Sequence, residues 1–487
     1  MVIDPNTTGV QLPSIELLQK FDVPAPRYTS YPTADRFNSA FTAKDYEDAL
    51  AGREAGKPLS LYVHVPFCND VCFYCGCNKV VTRDHSKSAE YLEVLGQEMD
   101  LVAQKLSGVK TVSQLHFGGG SPTFLDNDEI RRVMGMITER FPLEVGGEFS
   151  MEVDPRTCPP EKIKVMAEVG LNRMSIGVQD FNADVQKAVN RIQPFEMTKE
   201  TIEVARAEGF NSINMDLIYG LPKQTRKSFE KTLDQVLELS PDRIALYHYA
   251  HLPHHFPPQR RILDADLPST VEKVNIMMDA ITRLTQNGYR YIGMDHFAKV
   301  TDELAVAQKE GKLQRNFQGY STRPDCDMVA LGVSAISNVS HCYACNPRDL
   351  PSYYEAVRAG RLATNRGYRL SDEDRLRHAV IMTIMCQFKL VKAEIEERFG
   401  IDFDSTFAYE LRKLQNYQKV GFVELTPEAI VVSPKGKIFV RAVAMQFDRY
   451  LRESDRAGGY SKIAVKPDAP FVDSVTGQPK SGVVINT

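Results

Sequence analysis

The sequence predicts an α/β protein: an open, three-quarter parallel (β/α)6 barrel followed by a smaller, mainly helical C-terminal domain. Three observations carry this expectation. Between residues 59 and 286, six short apolar, β-branched runs alternate with six amphipathic stretches long enough for crossover helices. Such alternation builds a parallel sheet whose faces the helices cover. The chemistry-bearing polar residues fall at or near the C-terminal ends of the runs, the face on which parallel barrels carry their active sites. After about residue 289 the alternation fades. Six units are two short of a closed eightfold barrel, so the barrel is expected to stay open.

Residues 1–55 read as an N-terminal arm. Pro24, Pro26 and Pro32 interrupt helix formation, residues 26–33 read as extended, and a helix is expected over 42–51. In the barrel, residues 56–290, the expected strands are 61–65, 114–117, 149–153, 173–178, 213–218 and 244–249. The expected helices are 88–105, 127–140, 160–169, 199–208, 225–239 and 269–286. Residues 291–365 read as a barrel extension with substrate-side loops, including a strand at 291–297 and a loop at 315–320. Residues 366–452 read as a helical, winged-helix-like domain. It has helices at 372–385, 391–399, 407–420 and 435–452 and a hairpin within 422–432. Residues 453–487 are rich in Gly, Pro and Ser with little periodicity, and read as a flexible tail.

Composition narrows the function. Hydrophobic content is 43% and charged content 25%, ordinary for a globular protein with a large core. A net charge of −4 supplies no broad field for nucleic acid or anionic lipid. No apolar run approaches eighteen residues, so no membrane span is expected. Residues 1–20 hold no basic segment leading into an apolar run, so no secretory leader is expected. Nine cysteines in 487 residues fit a reducing cytoplasm.

The densest chemistry is Cys68, Cys72, Cys75 and Cys77, spaced C-x3-C-x2-C-x-C within ten residues. Thiolates bind soft metals and iron–sulfur clusters. Structural zinc usually takes a second ligand pair at a longer spacing, and disulfide frameworks suit short secreted chains. An iron–sulfur site is the better reading. Three ligands on a four-iron cluster leave one iron open to the amino and carboxylate groups of an amino-acid-like cofactor such as S-adenosylmethionine (SAM). Gly118-Gly119-Gly120-Ser121 follows the second strand, where the lack of side chains admits close backbone approach; a tight strand-to-helix turn is the plainer alternative. Glu152 ends the third strand, Gln179 ends the fourth, and Asp216 lies late in the fifth. The two carboxylates can accept from hydroxyls or an ammonium, or simply cap and pair. Arg191 can fork onto a carboxylate. Tyr62 and Tyr74 flank the cysteine loop and can shield it or merely pack. His341-Cys342-x2-Cys345 reads as ordinary thiols, because no second ligand pair is visible. His248, His251, His254 and His255 read as a histidine-rich loop.

These segments, taken in order, resemble the radical SAM superfamily and, within it, the bacterial oxygen-independent coproporphyrinogen III oxidases (coproporphyrinogen dehydrogenases). The likeness runs from Pro26-Arg-Tyr-Thr-Ser-Tyr-Pro-Thr33 to about Tyr450. It includes Tyr62-Val-His-Val-Pro-Phe-Cys68, His116-Phe-Gly-Gly-Gly-Ser-Pro-Thr123, Gly177-Val-Gln-Asp-Phe181, Asp216-Leu-Ile-Tyr-Gly-Leu-Pro222 and Asn316-Phe-Gln-Gly-Tyr320. The resemblance implies a radical-SAM-type barrel with a 4Fe–4S cluster on Cys68, Cys72 and Cys75, Cys77 being no ligand. It implies SAM contacts from Tyr62, Tyr74, Gly119, Gly120, Ser121, Glu152, Gln179, Arg191, Asp216, Ala250 and Ile336, shared between two SAM molecules. Tyr74 stands where phenylalanine is familiar in the family, and Ser121 where threonine is; both keep the contact. The implied activity is oxidative decarboxylation of two propionates of coproporphyrinogen III to vinyl groups, giving protoporphyrinogen IX in haem (porphyrin) biosynthesis. A 5′-deoxyadenosyl radical from SAM takes the propionate hydrogen. An electron donor and a final electron acceptor, both unidentified, are implied as partners, for a cytoplasmic monomer. The substrate's four carboxylates need cationic partners; Arg27 on the arm and Arg315 are the candidates, and the arm is a candidate lid.

Overall fold

The computed structural model describes residues 9–453 apart from 22, 109, 324 and 325. The tail expected at 453–487 lies outside the described residues except for its first position.

The six expected parallel strands are present. β1 (Leu59–Val65) leads into a short parallel pair, β2 (Phe67–Cys68) and β3 (Val80–Val81), that closes the cysteine loop at its base. β4 (Val112–Gly119), β5 (Leu143–Val153), β6 (Arg173–Gln179), β7 (Ser212–Tyr219) and β8 (Arg243–His248) follow, each adjacent pair parallel. Their crossover helices start on residues legible in the sequence. Asp126 and Glu129 form a reciprocal capping box for Asn127–Arg140, and Thr225 and Ser228 do so for Arg226–Leu239. β1 shows why such strands read as apolar runs: every residue except Tyr62 is buried.

The sheet is larger than expected. β9 (Tyr289–Gly293) and β10 (His296–Lys299) extend it antiparallel beyond β8. A third group follows the short ribbon β11 (Gln314–Asn316) and β12 (Gly319–Ser321). Here β13 (Asp327–Leu331) pairs parallel with β1, and β14 (Ile336–Val339), β15 (Cys342–Cys345) and β16 (Arg366–Arg369) continue antiparallel from it. The twelve strands run β16-β15-β14-β13-β1-β4-β5-β6-β7-β8-β10-β9, with β16 and β9 at the open ends.

Three local expectations are corrected. The single strand at 291–297 is a hairpin, because Gly293 (φ 141°) and Met294 (φ 54°) leave the extended region and Tyr291 Oη donates to the Met294 carbonyl at 2.7 Å. The loop at 315–320 is the β11–β12 ribbon, turned where Asn316 Oδ1 accepts from Gln318 N at 2.9 Å. The helix at 435–452 is a chain of short turns: Lys437–Phe439, Val440–Ala444, Met445–Phe447 and Arg449–Glu453. Extended backbone at Asp448 interrupts it. The remaining C-terminal helices lie where expected. The hairpin is β18 (Val423–Leu425) and β19 (Ala429–Val432), joined by β17 (Lys389–Val391).

The arm's residues 25–31 are packed rather than loose. Tyr28 and Tyr31 are fully buried. Tyr28 Oη donates to Asp448 at 3.0 Å, and Arg441 Nη1 donates to the Ala25 carbonyl at 3.0 Å. The arm thereby ties the barrel to the C-terminal domain. No helix among the described residues is long and apolar enough to cross a membrane.

Candidate active site

β1 delivers the cysteine loop to the C-terminal face of the sheet. Val80 N donates to the Pro66 carbonyl (2.7 Å) and Thr82 N to the Cys68 carbonyl (2.9 Å), so both ends of the loop are pinned. Cys72 is buried, Cys68 and Cys75 are partly exposed and Cys77 is exposed. All nine cysteines are free thiols, which removes the disulfide reading. Among the described residues no three His, Cys, Asp or Glu side chains gather tightly enough for a single ion. A hydrogen bond from the Cys77 thiol pulls Cys75 down to about 6, against burial, and the Cys77 amide adds its own N–H at 3.4 Å. Burial pushes Cys68 up to about 12, with the Cys75 and Cys72 sulfurs adding to it.

Behind Cys72 stands an ionic group of which sequence reading singled out only Arg191. Arg156 Nη2 and Arg191 Nη1 point at the Cys72 sulfur, at 3.5 and 3.7 Å. Asp154 joins them, accepting from Arg156 at 2.7 Å and Arg191 at 3.1 Å. Burial opposes the Asp154 charge, but Arg191 and Arg156 prevail and hold the carboxyl at about 2. Arg191 is therefore already engaged: Nη2 donates to the Gly177 carbonyl at 2.6 Å, while its buried Nε has no acceptor.

The glycine loop meets the protein more closely than expected. At Gly119 φ is 121°, and a Cβ would lie 2.8 Å from the His64 ring; at Gly120 it would lie 2.7 Å from the Pro66 backbone. The Gly120 and Ser121 amides donate to the Val65 and Phe67 carbonyls, both at 2.8 Å. These glycines thus fasten the end of β4 to the root of the cysteine loop. Ser121 is buried, its hydroxyl 3.2 Å from Thr123 Oγ1. The Gly119 amide donates to Glu152 at 3.3 Å.

Strand register builds the rest. Tyr62 lies opposite His116, His116 opposite Ser150, Glu152 opposite Ser175, and Gly177 opposite Asp216. Tyr62 stacks on His116 with ring centroids 6.0 Å apart, and its hydroxyl lies 3.1 Å from His64 Nδ1. Asp216 accepts from Asn214 at 2.9 Å and Ser175 at 3.2 Å. Burial, then the Glu152 charge, pushes its carboxyl up to about 6. Glu152 lines a cavity between the strands, with His116 Nε2 at 3.5 Å. Gln179 sits at φ 69° with a buried, unpartnered Oε1. Tyr74 packs against the small cluster of Val185, Val189, Leu221, Tyr249 and Ile262. Ala250 is exposed just past β8, and Ile336 packs with Phe37 and Tyr343. His64, His116, Ser175 and Asn214 were missed as well. Their signal was a period of two from residues already chosen, since alternate strand positions share a face.

The lesser candidates resolve simply. Cys342 and Cys345 are three apart on β15 and fall in different apolar clusters, so they form no ligand pair. In the histidine group, His254 and His255 are exposed, whereas His251 lies 2.8 Å from Tyr249 Oη and 3.1 Å from Asp264.

A pinned three-thiol loop, cationic donors on one of its sulfurs, and unpartnered buried atoms on Gln179 and Arg191 together fit a cluster and a polar zwitterionic cofactor. Comparison with known proteins agrees. Residues 62–236 match the radical SAM superfamily model, and residues 370–439 match the HemN C-terminal domain. The oxygen-independent coproporphyrinogen III oxidase of Pseudomonas aeruginosa is 47% identical over 91% of this chain and 96% of its own. That of Escherichia coli is 46% identical over 92% and 98%. The solved structure of coproporphyrinogen III oxidase (HemN) from E. coli, described as a radical SAM enzyme, superposes with a TM-score of 0.87 at 45% identity. The match covers 91% of this chain and 99% of that one. The chain belongs to the radical SAM superfamily and, within it, to the oxygen-independent coproporphyrinogen III oxidases.

Proposed function

We propose that this enzyme oxidatively decarboxylates two propionates of coproporphyrinogen III to vinyl groups, yielding protoporphyrinogen IX in haem biosynthesis. When bound, the 4Fe–4S cluster and SAM that its superfamily uses supply one-electron chemistry and the radical that takes hydrogen from the substrate side chain. The protein's part is to bind, orient and exclude water. Cys68, Cys72 and Cys75 would hold the cluster through their three thiolates. Arg156 and Arg191 place cationic N–H groups on the Cys72 sulfur, offsetting the negative charge gathered there. Glu152 and Asp216 accept from cofactor hydroxyl or ammonium groups, while Gln179 Oε1 and Arg191 Nε supply a buried acceptor and a buried donor. Tyr62, Tyr74, Gly119, Gly120, Ser121, Ala250 and Ile336 complete the assigned contacts, distributed between two SAM molecules. The packed arm keeps solvent from the reacting carbon.

Setting, partners and domain limits belong to the same reading: a cytoplasmic monomer served by a separate electron donor and acceptor. Its parts are an arm (1–55), barrel (56–290), extension (291–365) and C-terminal domain (366–452). The observation that carries the reading is one loop of three thiols whose Cys72 sulfur receives two guanidinium donors, Arg156 from just past β5 and Arg191 from between β6 and β7. Anaerobic reconstitution with iron, sulfide, SAM, reductant and coproporphyrinogen III tests it. Protoporphyrinogen is expected, and is lost in Cys72→Ser. Deoxyadenosine without a vinyl product would overturn the substrate.

A further inference from the structure

We propose that Arg315 and His296 form the seat for a substrate carboxylate that survives the reaction, one of the two propionates retained in the product. This rests on the function proposed above and assigns the far end of its substrate.

Arg315, on β11, is buried; its Nε donates to the Arg27 carbonyl at 3.3 Å and its guanidinium lies 4.8 Å from the Tyr320 ring centre. Its Nη1 is buried without an acceptor. His296 stands edge-on to Tyr320 and Tyr247, at 5.2 and 5.9 Å, and its Nδ1 is likewise buried and unpartnered. Two orphaned polar atoms on neighbouring side chains are a costly arrangement that an anionic acceptor would relieve.

Charge points the same way. Arg27, expected to serve this purpose, is already paired with Asp295. Burial, then Arg441 and Arg315, lowers Arg27 to about 10. Burial and the surrounding Arg315, Arg27 and Arg243 keep His296 neutral. His296, Tyr247 and Tyr320 line a cavity of about 180 Å³ together with Glu148, Glu152, Arg173, Asp216 and Arg243; Arg315 is not in its wall but stands against Tyr320. Tyr247 lies within electrostatic reach of both the acidic pair and of Arg27 and Arg315. A carboxylate in this cavity is repelled by Glu152 and Asp216 and drawn toward His296, where the charges of Arg315, Arg27 and Arg243 converge. A guanidinium fork stabilises carboxylate charge, which would oppose loss of carbon dioxide. The group seated there is therefore one that stays.

Porphyrin binding to the cluster-reconstituted chain, followed anaerobically by fluorescence, tests the proposal with three probes. These are coproporphyrin III, protoporphyrin IX and coproporphyrin III tetramethyl ester. Arg315→Gln should weaken both free acids tenfold or more and leave the ester unchanged; Arg315→Lys should fall between. Equal weakening of all three would reduce Arg315 to a clamp on the arm and overturn the seat. Weakening of coproporphyrin alone would overturn the choice of a retained carboxylate. Unchanged binding of every probe would overturn the whole assignment. His296→Ala supplies a second variant if Arg315→Gln does not fold, with weaker binding of the free acids expected and unchanged binding counting against the seat. Wild-type chain that binds neither free acid would instead bring down the substrate reading itself.

Discussion

Arg191 Nη1 lies 3.7 Å from the Cys72 sulfur and 3.1 Å from Asp154 Oδ2. One buried guanidinium thus joins the cysteine loop after β1 to the residue just past β5. Donors aimed at a ligating sulfur tune the metal site they serve.

Replacing that donor should be felt at the cluster. Arg191→Gln removes a positive charge beside Cys72 and is expected to make the cluster harder to reduce. Loss of such a supporting contact costs about 10- to 100-fold in activity. An EPR-monitored redox titration should place its midpoint below the wild-type value. An unchanged midpoint would assign Arg191 to structure alone.

Asp154→Asn should leave two buried guanidinium groups without their shared counter-ion. Breaking a buried pair this way costs about 3–5 kcal/mol. Because the Asp154 carboxyl is depressed to about 2, its contribution is present above its ordinary value of 3.8 and is lost as pH falls toward 2. Thermal unfolding of variant and wild type at pH 7 measures the cost directly.

Asp216 has the opposite sign. Its carboxyl is raised to about 6 by burial and Glu152, so the native state holds that proton more tightly than the unfolded chain does. The associated stability is full below pH 4 and declines as pH rises through 6. Asp216→Asn is expected to remove the penalty, gaining about 2–3 kcal/mol at pH 8, while cofactor cleavage falls. Unfolding midpoints from pH 4 to 8 should flatten in the variant.

Gly119→Ala meets both a left-handed φ of 121° and the His64 ring at 2.8 Å. Strain of this kind costs about 1–3 kcal/mol. Because this segment of β4 is fastened to the root of the cysteine loop, iron and sulfide retained per chain after reconstitution should fall.

The nine cysteines divide into two classes that iron content can separate. Cys72→Ser should abolish cluster retention, whereas Cys342→Ser and Cys345→Ser, on opposite faces of β15, should leave it intact.

Much of this was legible beforehand because it is local. The parallel strands of the barrel show as apolar runs since both sheet faces are covered, and their helices begin on readable caps such as Asp126 and Thr225. β13 escaped notice because it joins β1 from 268 residues downstream, Leu59 lying opposite Asp327. The β9–β10 hairpin escaped because its turn depends on positive φ at Met294, a residue with no turn preference of its own. Polar inward residues such as Ser175 and Asn214 carried no motif, and only register shows that they hold Asp216.

Sequence alone determined that three thiols share one loop, because Cys68, Cys72 and Cys75 are near neighbours and a single turn of chain brings them together. Only tertiary structure decided what surrounds those sulfurs. Arg191 is 119 residues from Cys72, and Arg315 is 288 from Arg27. No local spacing encodes such meetings; sheet register and burial impose them, and they set the charge in which the chemistry takes place.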